Sequence, residues 1–199
     1  MAFTVEDILD CYRRGVFPMA ETRDAKSFYL VEPDMRGIIP LDGLHVSKSL
    51  RKFMRQGHYK VTANVAFPEV MEGCAEPGKK PERDNTWISE NLQMAYEHLH
   101  HMGYAHSLEI WDGETLVGGL YGIALGGAFF GESMFSRAVN ASKVALVTLT
   151  EHLNARGFAL LDTQYLTDHL ETMGGIEIPQ AEYLKLLEQA LKVETRFAP

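Results

Sequence analysis

The chain has 199 residues, 46% of them hydrophobic, enough to bury one sizeable core as a single domain or a domain with a small appendage. A formal net charge of −8 argues against a general nucleic-acid binder, and no window approaches the roughly 18 apolar residues of a membrane span. Two cysteines, Cys11 and Cys74, make no disulfide framework; reduced thiols in a cytosol are expected.

Met1-Ala2-Phe3-Thr4-Val5-Glu6-Asp7 carries acids early and has no apolar h-region, so a secretion signal is not expected. Thr4 followed by Ile8, Leu9, Cys11 and Tyr12 predicts a capped helix that stops at Gly15. Short extended segments are expected near Phe28–Val31 and Gly37–Leu41. Ser47 should cap a helix in which Lys48, Arg51, Lys52 and Arg55 fall at i, i+3, i+4 and i+7, with Leu50, Phe53 and Met54 facing the core. Alternation predicts a strand over Tyr59–Asn64, and Phe67–Cys74 reads as helical. Pro77–Asp84 is a loop by composition. A further helix runs from about Ser89 to Met102 and ends at Gly103.

The second half begins with a hairpin, Ala105–Trp111 and Thr115–Ala124 around Asp112-Gly113. Gly126-Gly127 turns the chain into Ala128–Phe135. A helix opening at Asn140 or Ser142 runs to Arg156 and is closed by Gly157. Phe158–Gln164 is an apolar strand, and Tyr183–Val193 a final amphipathic helix. This order predicts a mixed α/β fold: a mostly antiparallel central sheet flanked by helices. No linker divides the chain, so residues 1–70 are expected to form a packed extension or small subdomain on a core of residues 71–199.

Several residues could carry chemistry. The four cations of the Ser47 helix form one basic stripe without an acid, and Lys79, Lys80 and Arg83 add a second group. Such a stripe is either a solvated helix face or a dock for a limited part of an RNA, phosphates first. Asp162 and Gln164, two apart on a strand, share a face at roughly 7 Å between Cα atoms. Phe158 and Leu160 precede them on that face. An acid there either serves a site at the end of a buried strand, caps the next helix, or pairs with an Arg. Glu132 sits among Phe129, Phe130, Met134 and Phe135, company in which a carboxylate needs a partner or an unusual pKa. A salt bridge with Arg137 is one solution. A bulge at Gly131 would be needed to bring Glu132 and Phe129 to one site.

Other patterns lead nowhere. Gly131-Glu132-Ser133-Met134-Phe135 has Phe where a nucleophile elbow needs Gly. His98, His100 and His101 do not share a helix face and have no completing acid or Cys set, so no metal is expected. Ser136–Lys143 lacks the glycine-paired loop that a coenzyme A acetyltransferase wants, although helix N-termini still bind anions.

Four motifs, Tyr12-Arg13-Arg14-Gly15-Val16-Phe17-Pro18, Asn85-Thr86-Trp87-Ile88, Gly131–Arg137 and Leu161-Asp162-Thr163-Gln164, together resemble the leucyl/phenylalanyl-tRNA–protein transferases. The resemblance runs over nearly the whole chain, with a start close to the Tyr12 motif that implies a shortened N-terminus. It implies a core like that of the Gcn5-related N-acetyltransferases, a cytoplasmic location, and a reaction without metal or cofactor. Leu or Phe, with Met as a third candidate, would pass from aminoacyl-tRNA to a protein whose N-terminal residue is Arg or Lys, marking it for degradation. Asp162 and Gln164 would hold or deprotonate the attacking amine. Glu132 would contact the aminoacyl end of the tRNA. Trp87, Tyr96, Phe129 and Met134, with Tyr12 and Leu120 at other family positions, would form an apolar slot for the donor side chain. Lys48, Arg51, Lys52 and Arg55 would meet tRNA phosphates.

The family pattern is not matched everywhere. Met19 stands where a Trp is usual, Leu120 where Met is, Leu149 and Leu153 where aromatics are, and Thr167 where Asn is. The chemistry asks little of the protein, because the aminoacyl ester is already activated and an α-amino group has a pKa of about 7.7–8.0. Orientation and charge stabilisation suffice. A basic acceptor also needs a carboxylate, for which Asp162 and Glu132 are the candidates. The alternatives are a coenzyme A dependent N-acyltransferase and a non-catalytic binder of basic N-termini.

Overall fold

A computed structural model describes residues 4–76 and 86–198; Lys79, Lys80, Arg83 and Asn85, with the loop expected over Pro77–Asp84, lie outside the described residues. Helix α1 (Val5–Arg13) begins with a capping box, Thr4 accepting from the Asp7 N–H while the Asp7 carboxylate accepts from the Thr4 N–H. It ends at Gly15, whose φ of 77° only glycine adopts without strain. Strands β1 (Phe17–Met19) and β2 (Tyr29–Val31) pair as a small antiparallel ribbon.

Strand β3 (Met35–Ile38), helix α2 (Lys48–Arg55), strand β4 (Lys60–Ala63), helix α3 (Phe67–Ala75) and helix α4 (Glu90–His101) follow. Next come the meander β5 (Ala105–Asp112), β6 (Thr115–Leu125) and β7 (Ala128–Ser136), helix α5 (Ala141–Arg156) and strand β8 (Leu160–Gln164). Helix α6 (Asp168–Thr172), strand β9 (Ile176–Pro179) and helix α7 (Gln180–Ala190) complete the order. The main sheet runs β4-β5-β6-β7-β8-β3-β9 and is antiparallel except for β7 beside β8. The long helix α5 supplies the crossover that a parallel pair requires.

Apolar residues fill both faces of this sheet. On one face Ile8, Tyr12, Phe67, Tyr96, Phe130 and Tyr183 join α1, α3, α4 and α7 in one cluster. On the other Leu50, Phe129, Leu146, Leu149, Leu161 and Phe197 gather α2, α5 and the C-terminal segment. β3 and β4, both from the first seventy residues, are members of the main sheet.

Three elements were not expected from sequence: β1, α6 and β9. Each has only three to five residues, too few to show a period. The last helix starts three residues before the expected Tyr183, directly after Pro179, and ends at Ala190. Phe158 precedes β8 rather than belonging to it, and packs in the α5 cluster instead of beside Leu160.

Candidate active site

β7 and β8 pair only over Ala128–Phe130 and Leu160–Asp162; beyond this the two strands part. On β7 the pairing with β6 slips at the same place, Tyr121 facing Ser133 and Gly122 facing Gly131, so that Glu132 is the extra residue of a bulge. The bulge explains how Phe130 and Phe135, of opposite parity, both reach one apolar cluster. A cavity of about 450 Å³ opens where the strands diverge. Its apolar wall includes Phe17, Met19, Trp87, Leu120, Met134 and Leu149, and its polar groups include Glu132, Ser136, Ser142, Thr163 and Gln164.

Glu132 is the carboxylate at the cavity wall. Tyr96 Oη donates to its Oε2 at 3.0 Å and Gln164 Nε2 to its Oε1 at 2.9 Å. Tyr12 Oη lies 2.6 Å from Tyr96 Oη. Since Tyr96 spends its single proton on Glu132, Tyr12 is the donor in that pair. Burial is the largest influence on Glu132 and pushes its carboxyl up to about 7, against the opposing hydroxyls of Tyr12 and Tyr96.

Asp162 lies behind this wall and is fully buried. Arg36 Nε donates to Oδ1 at 2.9 Å and its Nη2 to Oδ2 at 2.6 Å. The Gln164 N–H donates to Oδ1 at 2.8 Å and Tyr183 Oη to Oδ2 at 2.7 Å. A carboxylate has about four acceptor positions, and all are taken. Asp162 does not line the cavity. Of the readings open from sequence, pairing with an Arg is the one seen, and Asp162 reaches the cavity only through Gln164. Gln164 itself adopts φ 56°, a left-handed conformation that ends β8 and sends its side chain toward Glu132.

The other residues singled out from sequence divide into lining and support. Trp87, Leu120, Met134, Glu132 and Gln164 line the cavity. Tyr12 and Tyr96 stand behind Glu132 as its hydrogen-bonded support. Phe129 packs in the cluster of α2 and α5, its ring 5.4 Å from that of Phe197, and is not among the residues that line the cavity although the bulge forms. Arg137 pairs with Glu76 at 2.6 Å, not with Glu132. His100 stacks on Phe67 at 4.2 Å and His101 bonds the Glu97 carbonyl.

Lys48, Arg51, Lys52 and Arg55 are all exposed on α2. α2 is tied to the cavity rim: the Phe53 ring sits 5.5 Å from that of Tyr59, and Tyr59 Oη donates to the Val139 carbonyl just before α5. Three residues on, Ser142 lines the cavity. Sequence reading did not single out Arg36, Tyr183 or Tyr165. The signal for Arg36 is a charge inside the apolar run Met35-Arg36-Gly37-Ile38-Ile39, which demands a buried partner without naming it.

Residues 38–188 match the family described as leucyl/phenylalanyl-tRNA protein transferase, and residues 1–34 match that family's N-terminal domain. The chain belongs to this family. A leucyl/phenylalanyl-tRNA–protein transferase of Maricaulis maris is 54% identical over 98% of this chain and 90% of its own length. Those of Hyphomonas neptunium and Caulobacter vibrioides are each 52% identical, over 98% and 96% of this chain and 75% and 87% of their own. A solved structure from Bacteroides thetaiotaomicron, described as a conserved protein of unknown function, is 11% identical over 85% of this chain and 61% of its own, at a TM-score of 0.39, too slight a likeness to carry weight. In this leucyl/phenylalanyl-tRNA–protein transferase family member, four of the five positions that depart from the pattern, Met19, Leu120, Leu149 and Thr167, line the cavity, while Leu153 is buried in the α5 cluster.

Proposed function

We propose that this chain moves Leu or Phe, with Met as a third donor, from aminoacyl-tRNA to the N-terminal Arg or Lys of an acceptor protein. Family membership makes it an aminoacyltransferase that uses tRNA as donor and a protein N-terminus as acceptor. One observation carries the finer reading: Glu132 and Gln164 meet at the wall of an apolar cavity flanked by Trp87 and Met134. The donor side chain fills the apolar part and its ester carbonyl lies near the polar edge. The Gln164 carboxamide oxygen accepts a hydrogen bond from the incoming amine. Glu132, placed beside it, receives the amine's proton as the N–C bond forms, and returns it to the departing ribose oxygen. The ester is already activated, so the step needs neither metal nor cofactor. Asp162 contributes by holding Gln164.

Around this centre, Lys48, Arg51, Lys52 and Arg55 meet tRNA phosphates, with the esterified end entering past Ser142. The parting of two parallel strands around a cavity supports a core like that of the Gcn5-related N-acetyltransferases. Residues 1–70 serve as an extension interleaved with the core of residues 71–199. The product, in the cytoplasm, is a protein marked for degradation.

The test offers labelled Leu-tRNA or Phe-tRNA with peptides starting with Arg, Lys or Ala, product mass being read. Extension of the Arg and Lys peptides alone is expected. Extension from acetyl-coenzyme A, or peptide binding without transfer, would replace this reading with one of the two alternatives.

A further inference from the structure

We propose that Arg36 is a positioning residue of the transfer step: it holds Asp162 so that Gln164 keeps its left-handed backbone and presents its carboxamide beside Glu132. The inference rests on the transferase reading above. Arg36 is fully buried and engaged on every side. Besides its two bonds to Asp162, Nη1 donates to the Gly15 carbonyl at 2.8 Å. Its guanidinium carbon lies 4.7 Å from the Phe17 ring centre and 4.4 Å from that of Tyr183.

Stability alone does not account for such a pair. Taking two charges out of water costs about what their attraction returns, and an apolar pair of like volume often does as well. What the pair does supply is geometry. A non-glycine residue stays left-handed only where its surroundings over-determine it. Here the decisive contact is the Gln164 N–H on Asp162 Oδ1, and that carboxylate is fixed by the guanidinium fork. Phe17, which lies under the Arg36 guanidinium, lines the cavity and packs edge-on against Tyr165, another lining residue, at 5.8 Å. A lysine would keep the charge but not the fork.

The experiment measures steady-state transfer from Leu-tRNA to an Arg-starting peptide for the unaltered chain, Arg36→Lys, Gln164→Gly and their combination, with thermal melts for each. Arg36→Lys is expected to lower kcat roughly 10-fold or more while KM for Leu-tRNA stays within about twofold. Gln164→Gly is left-handed without help, so in that background Arg36→Lys should cost less than about twofold further. Losses that multiply, or Arg36→Lys turning over like the unaltered chain, overturn the proposal. Should Arg36→Lys not fold, the pair Arg36→Met with Asp162→Leu removes both charges at once. That variant is expected to regain a cooperative melt but not the rate; recovery of both overturns the proposal. Absence of transfer by the unaltered chain overturns the transferase reading itself, and this inference with it.

Discussion

Gln164 Nε2 lies 2.9 Å from Glu132 Oε1, across the gap where β7 and β8 part. The same Gln164 donates its backbone N–H to Asp162, so one residue ties a carboxylate at the cavity to one sealed behind it. The two acids thereby differ in place: Glu132 lines the cavity, and Asp162 lies behind it and holds the residue beside Glu132.

Transfer should therefore follow the ionisation of Glu132. Its carboxyl is held up to about 7, so kcat/KM for the peptide is expected to rise with pH through that value. In Glu132→Gln this limb disappears, leaving only the rise from the acceptor amine at about 7.7–8.0, with a rate lower by roughly 100-fold or more. Profiles between pH 5.5 and about 9 that coincide after scaling would rule Glu132 out as the proton acceptor.

Stability should respond with the opposite slope. The folded protein binds the Glu132 proton more tightly than the unfolded chain, for which the value is near 4.5. The stabilisation is therefore complete below 4.5 and is lost as pH rises through about 7. Glu132→Gln does not titrate, so its melting temperature relative to the unaltered chain should climb from pH 5 to pH 8, by roughly 2 °C or more. A flat difference would place the carboxylate outside the low-dielectric environment seen here.

Asp162→Ala leaves Arg36 buried without its counter-charge. Removing one partner of a buried pair costs about 3–5 kcal/mol, a fall in melting temperature of roughly 10 °C for a chain this long. Asp10→Ala, which touches an exposed pair with Arg13, should shift it by about 2 °C or less. Calorimetry of both variants makes the comparison, and equal shifts would contradict the burial of Asp162.

Leu149→Phe restores an aromatic that the family pattern favours and narrows the cavity. Discrimination between Phe-tRNA and Leu-tRNA is expected to move toward Leu by about 10-fold, the scale of ~1–3 kcal/mol in an apolar pocket. Competition between the two labelled donors in one reaction reads the ratio directly, and an unchanged ratio removes Leu149 from the slot.

Neutralising Arg51, Lys52 and Arg55 to Gln should weaken charged tRNA and reduce the slope of log affinity against log salt by roughly 2–3. The peptide KM should not move. A salt slope untouched by the triple variant would leave the α2 stripe a solvated face.

Much of this was legible in the chain itself. Thr4, Ser47, Gly103 and Gly157 bound their helices as their local chemistry predicts, because capping groups act within three or four residues. The β5–β6–β7 meander followed from alternation and tight turns for the same reason. Strand β1 was hidden because three residues show no period, and β9 because its register is set by β3, far away in sequence.

The sequence by itself determined which residue types could serve a site: an acid among aromatics at Glu132, and an acid and amide at the end of an apolar strand. It left open what surrounds them. Only the tertiary structure decided that Asp162 is sealed by Arg36, 126 residues away, that Glu132 is turned by a bulge toward Tyr96 and Gln164, and that Phe129 packs on Phe197 instead of lining the cavity. The physical reason is range. Capping and periodicity are settled by neighbouring residues, whereas burial of a charge depends on which distant partner the packed sheet brings within 3 Å.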